Sequence, residues 1–154
     1  MEIQYLLFIC LFTSSIVVSQ AYAYIIAMRH VQEHLQAPAY IELRQLTDLN
    51  FRRKYPYVVY ASLLSITLLA GWCAMNPSGL LFLMASLSWL CAVADTVLTL
   101  KGNMPINNRI NTWTITSYPA DWKQHRDRWL SIFRWRQAAM ITGFTALLVA
   151  ALFG

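Results

Sequence analysis

Charge is what this sequence has least of. Asp, Glu, Lys and Arg make up 12% of its 154 residues, where an ordinary soluble domain carries about 25%. With 58% hydrophobic side chains and a mean hydropathy of +0.44, the chain lacks the polar surface to wrap one core in water. Part of its solvent is therefore lipid, which excludes a secreted disulfide scaffold, a disordered tail and a cytosolic nucleotide-binding domain. Cysteine is scarce as well. Cys10, Cys73 and Cys91 all fall inside apolar stretches without CxxC spacing, so they read as packing residues and indicate neither a disulfide framework nor a thiolate metal site. A basic n-region is missing at Met1-Glu2, and no small-residue cleavage site follows before Arg29. The first apolar run thus reads as a retained helix and not as a signal peptide.

Four long apolar runs are present. About 20 such residues span the hydrocarbon core of a bilayer. The runs cover residues 5–28, 57–75, 80–100 and 132–153, with Asp95 as the single charge inside them once Arg134, Trp135 and Arg136 are placed at the interface. Residues 1–154 then form one membrane domain, an all-α antiparallel four-helix bundle. The basic residues divide between only two loops: Arg29, Arg44, Arg52, Arg53 and Lys54 in 29–56, and Lys101, Arg109, Lys123, Arg126, Arg128, Arg134 and Arg136 after span three. The positive-inside rule makes loops 29–56 and 101–131 cytoplasmic, with both termini and the Asn76-Pro77-Ser78-Gly79 turn outside. The formal net charge of +5 is then topological, and no nucleic-acid partner is expected.

Pro38 and Pro56 read as helix stops that isolate an amphipathic loop helix. Tyr40, Leu43, Leu46 and Leu49 would lie on the membrane or bundle end, with the ladder Arg44, Asp48, Arg52 on another face. Gly102 reads as the stop of span three and Asn103 as the cap of a new turn. After Ser117-Tyr118-Pro119 one helix is expected to run through Asp121 and Trp129 into span four. Ser15, Ser19, Ala23 and Ala27, and Ala138, Thr142, Ala146 and Ala150, form small-residue stripes that predict contact between spans one and four.

The run Pro105-Ile106-Asn107-Asn108-Arg109-Ile110, then Asp121-Trp122, Arg126-x-Arg128-Trp129 and Arg136, resembles the pattern of anthrone-oxygenase-like membrane proteins. The motifs cover roughly the last third of the chain. The resemblance implies a four-span bundle that oxidises an anthrone methylene to a quinone carbonyl, with dioxygen as co-substrate and no other cofactor. This chain departs from the pattern at Phe133, where the family usually carries a histidine, and at His125, where it carries an aliphatic residue.

Several residues carry candidate chemistry on their own. Asp121 stands one helical turn before His125 and can orient its ring as a general base, while Arg126 and Arg128 can stabilise an enolate or phenolate. Trp122 and Trp129 offer aromatic surface to a substrate entering from lipid, and Asn107 offers an amide. Asp95 is expected to face the bundle interior at the level of Tyr24 and Tyr60. It would accept hydrogen bonds from a tyrosine or serine, or anchor a ligand at the floor of a cavity near His30. His30 and His34 share a helix face at metal-ligand spacing, but no second pair completes a site, so no metal is expected. Two functions are open: a membrane enzyme acting on a lipophilic aromatic or quinone-like compound, or a non-catalytic scaffold or pigment-binding subunit within a larger membrane complex.

Overall fold

The computed structural model describes residues 2–75 and 77–154; Met1 and Asn76, and with Asn76 part of the expected turn, lie outside the described residues. Four long helices account for the fold: α1 (Ile3–His34), α2 (Ala37–Ala74), α3 (Gly79–Ile110) and α4 (Trp122–Phe153). Each packs against its sequence neighbours, and α4 closes the ring against α1. This is the antiparallel up-down bundle the four apolar runs predict, and its lengths and compositions are those of a multi-pass membrane protein. Large apolar side chains such as Phe8, Phe12, Leu64, Leu83 and Leu90 stay more than half exposed, a surface suited to lipid.

The helices are longer than the bilayer requires. At 1.5 Å per residue the 38-residue α2 reaches about 57 Å, nearly twice the hydrocarbon thickness of about 30 Å. The bundle therefore has two storeys. An apolar one is built around Cys10, Leu69, Ala85 and Leu147, and a second, at the end rich in basic residues, around Tyr24, Tyr40, Ile110, Trp129 and Phe133.

One of the expected proline boundaries is present and the other is not. Pro38 occupies the first turn of α2, where a missing N–H costs nothing, but Pro56 lies inside the helix. Membrane helices tolerate an interior proline because neighbouring elements compensate for the broken backbone bond, so the supposed loop helix and span two are one rod. Continuity puts their faces in register. Ala37, Ile41, Arg44 and Asp48 share a stripe with Ser62, Ile66, Leu69 and Cys73, and all are buried, whereas Leu46 and Leu49 are exposed. Arg44 and Asp48 of the charged ladder thus face the interior while Arg52 stays exposed, and of the apolar face Tyr40 is buried with them whereas Leu46 and Leu49 point outward. Gly102 does not stop α3 either. It lies in a π-helical turn, Thr99–Asn103, that carries the helix on to Ile110. A Cβ at Gly102 would stand 2.7 Å from Ile132 Cγ2, so glycine is needed here for the close approach of α4.

The α1–α4 contact exists, but the stripe expected to make it does not. Ser15, Ser19, Ala23 and Ala27 do not join the buried face of α1, and the two serine hydroxyls are bonded back to their own helix. That face runs instead through Cys10, Ser14, Val18 and Ala21. On α4 Ala146 and Ala150 are buried, as expected, and Ala138 and Thr142 are not. A second close crossing of α3 and α4 lies at Gly143, where a Cβ would meet Cys91 Cβ at 3.0 Å. Gly79, at φ +82°, allows the chain to turn into α3 in a conformation that side chains disfavour.

Candidate functional site: a cavity between the storeys

Where the apolar storey meets the polar one, the four helices part around a cavity of 230 Å³. Pro56 sits in its wall. Tyr24 opens one π-helical turn, Tyr24–Met28 of α1, and Asn103 closes the other, in α3; both side chains line the cavity. A π turn inserts one residue into the helical repeat and so re-aims the side chains beyond it, a device frequent at functional sites. Tyr24, Phe51, Tyr55, Tyr60 and Trp129 make much of the wall aromatic. A second cavity of 50 Å³ lies deeper in the apolar storey and shares Val59, Asp95 and Thr96 with the first. It is lined by Ser14, Ser62 and Ser88, and is polar and roomy enough for water.

Five charged residues, Arg44, Asp48, Arg52, Asp95 and Arg136, line the larger cavity. Asp48 collects donors from two helices: Arg52 Nε at 2.7 Å and Asn111 Nδ2 at 2.7 Å on Oδ2, and Asn107 Nδ2 at 2.9 Å on Oδ1. Asn107 completes a relay, because its Oδ1 accepts from Arg44 at 2.7 Å. The Arg44 guanidinium also donates to the Tyr24 hydroxyl at 3.1 Å and lies 3.8 Å above the Trp129 ring. Such a desolvated cation over an indole is worth about 2 kcal/mol. On the opposite side Arg136 Nε donates to Asp95 Oδ1 at 2.7 Å, and Arg136 Nη1 to Asn103 Oδ1 at 3.3 Å. Asn103 in turn donates to the Trp129 carbonyl at 3.0 Å. Arg44, Asp48, Asp95 and Arg136 are each less than a tenth exposed. Burial on this scale is tolerated only because every ion is hydrogen-bonded.

The residues singled out in the sequence fall into two groups. Asn107, Asp95 and Trp129 line the cavity together. Asp95 faces inward at the level of Tyr24 and Tyr60, as expected, but its partner is Arg136, which belongs to the interior and not to the interface; Arg134 and Trp135 beside it are exposed. The other group sits towards the far polar end, outside the cavity walls. His125 Nε2 lies 3.6 Å from Asp121 Oδ2, with the Asp121 side chain half exposed and the imidazole edge-on to Trp113. Arg126 donates to the Glu33 carbonyl at 2.9 Å and covers Trp122, which is buried against Tyr40. Arg126 thereby ties α4 to the end of α1. Arg128 is exposed. His30 and His34 are exposed and stack on each other at 4.2 Å, with His34 Nδ1 at 2.8 Å from the His30 carbonyl. Among the described residues no three His, Cys, Asp or Glu side chains converge on one point.

The cavity residues missed in the sequence are Arg44, Asp48, Arg136 and the donor role of Asn103. A signal existed for the first two: counting in steps of three and four straight through Pro56 aligns them with Ser62, Ile66 and Leu69. Arg136 is one turn after Phe133 and one before Met140, both buried, so the same count puts it inside. Comparison with family models, with curated proteins and with solved structures returns no match, so the site stands on its own geometry.

Proposed function

We propose that this membrane protein takes a lipophilic aromatic or quinone-like compound into the cavity between its storeys and oxidises it there with dioxygen. The observation that carries the reading is the convergence of Asn107, Trp129 and Arg136, three residues of the anthrone-oxygenase-like pattern from two helices, on one aromatic-walled space. Ligand pockets are concave, mostly apolar and furnished with a few placed polar groups. This one has that composition.

In this reading the substrate methylene is acidified by a conjugated carbonyl and loses a proton to a cavity carboxylate. Asp95 is the better placed of the two, since Asp48 is occupied by three donors while Arg136 holds Asp95 through Oδ1 only. The resulting enolate reacts with one dioxygen, and the methylene becomes a carbonyl with release of one water. Asp121, at the start of α4, and His125, in its first turns, lie outside these walls. The test is oxygen uptake by the purified protein in mild detergent with an anthrone, followed together with the quinone absorbance. One oxygen consumed per quinone formed, above the spontaneous rate, supports the reading. The spontaneous rate alone, or a quinone yield unchanged in Asp95→Asn, overturns it.

A further inference from the structure

Resting on the reading of the cavity as a ligand site, we infer that its ligand presents an anionic oxygen, a carboxylate, phenolate or enolate carried on a compact ring system, and that Arg44 is the residue that receives it. The argument begins with charge. Of the five ionic side chains in the walls, Asp48 is paired with Arg52 and Asp95 with Arg136. Arg44, 4% exposed, forms no ion pair among the described residues. Its hydrogen-bond partners are the neutral Tyr24 hydroxyl and Asn107 amide. A buried guanidinium held only by neutral groups lacks the counter-charge that burial normally demands.

Unpaired polar atoms gather at the same place. Arg44 Nε and Trp129 Nε1 are buried without a partner in residues that line the cavity, whose wall also holds one unpaired acceptor, Gln20 Oε1. The Tyr24 hydroxyl is held by Gln32 at 3.0 Å and by Arg44 at 3.1 Å. Two neighbouring side chains, Arg44 and Trp129, thus hold an unpaired N–H, and Arg44 also holds a positive charge without an ion pair among the described residues. An oxygen anion answers both deficits, and a guanidinium fork suits it better than an ammonium does. The surrounding Tyr24, Phe51, Tyr55 and Trp129 rings favour a flat ring as the body of the ligand. A volume of 230 Å³ suits a compact ring acid, and competition with phosphatidylglycerol distinguishes it from an anionic lipid headgroup.

The test compares 2-naphthoate with 2-naphthalenemethanol, which share a ring and differ in charge, by titration calorimetry on the full chain in neutral detergent. The wild type is expected to bind the acid at least tenfold more tightly than the alcohol. Arg44→Gln should abolish that preference, bringing the affinities for acid and alcohol within threefold of each other. Equal affinity of the wild type for both probes overturns the inference and leaves the cavity reading standing, and this comparison needs no variant to fold. Displacement of naphthoate by phosphatidylglycerol, but not by phosphatidylcholine, overturns it in favour of a lipid headgroup. If neither probe binds, or if filling the cavity by Thr47→Phe changes the affinity of neither, the cavity reading itself fails.

Discussion

Asp95 shows what a single buried charge demands. In the sequence it is an isolated acid in an apolar run, to be satisfied by a tyrosine or serine; in the bundle it is half of an ion pair with Arg136. The difference changes what substitution does. An amide in place of the carboxylate keeps an acceptor but leaves the Arg136 charge buried without its counter-ion, a defect worth about 3–5 kcal/mol. Asp95→Asn should therefore lower the melting temperature of the purified protein markedly, and Arg136→Met should do so as well. The double variant Asp95→Leu/Arg136→Met should recover most of the loss, because replacing a whole buried pair by apolar side chains is close to neutral. Additive loss in the double variant would show that the two residues are stabilised separately. At the polar end, His125→Ala removes a contact with Trp113 and a half-exposed Asp121. It should leave naphthoate affinity within twofold of wild type, measured by the same calorimetry, since the imidazole is not part of the cavity wall.

Helices meet in this protein where backbones come close, and the contrast between two small residues makes the point testable. Ser19 belongs to a regular four-residue stripe yet faces outward with its hydroxyl turned back onto Ile16. Gly143 belongs to no such stripe, and a Cβ there would already press on Cys91. Ser19→Leu should accordingly be tolerated, with unfolding in detergent unchanged within about 0.5 kcal/mol. Gly143→Leu should destabilise by about 1–3 kcal/mol through overpacking, or prevent accumulation of folded protein. Equal effects of the two would mean that the α3–α4 crossing is looser than its geometry. The small-residue rule is sound in lipid, where apolar burial between helices gains little. It failed for α1 because periodicity alone does not say which of several faces meets a partner. The π turns raise the same difficulty, since each shifts the helical count by one residue and nothing in Thr99-Leu100-Lys101-Gly102-Asn103 announces the shift.

For the molecule as a whole, charge asymmetry predicts orientation in the membrane. Ser117→Cys, in the α3–α4 loop of the basic end, should react with a membrane-impermeant maleimide only after the cells are opened, and Ser78→Cys, at the opposite end, should react in intact cells. The reversed pattern would overturn the assignment of the basic end to the cytoplasm. The sequence was sufficient for the four spans, their up-down order and the run of α4 from its polar start into the membrane, because hydropathy and length are properties of contiguous residues that any bilayer reads in the same way. Of the candidates it named, Asn107, Asp95 and Trp129 line the cavity and Trp122 does not. Only the tertiary structure decided that Arg44 and Asp48 turn inward with Arg52 reaching Asp48 from the rim, that Arg136 pairs with Asp95, and that Asn107 bridges Arg44 and Asp48. These partners lie 41 to 63 residues apart, apart from the one turn between Asp48 and Arg52. A buried charge is stabilised by what the fold brings to it from other helices, and periodicity along one helix carries no record of that.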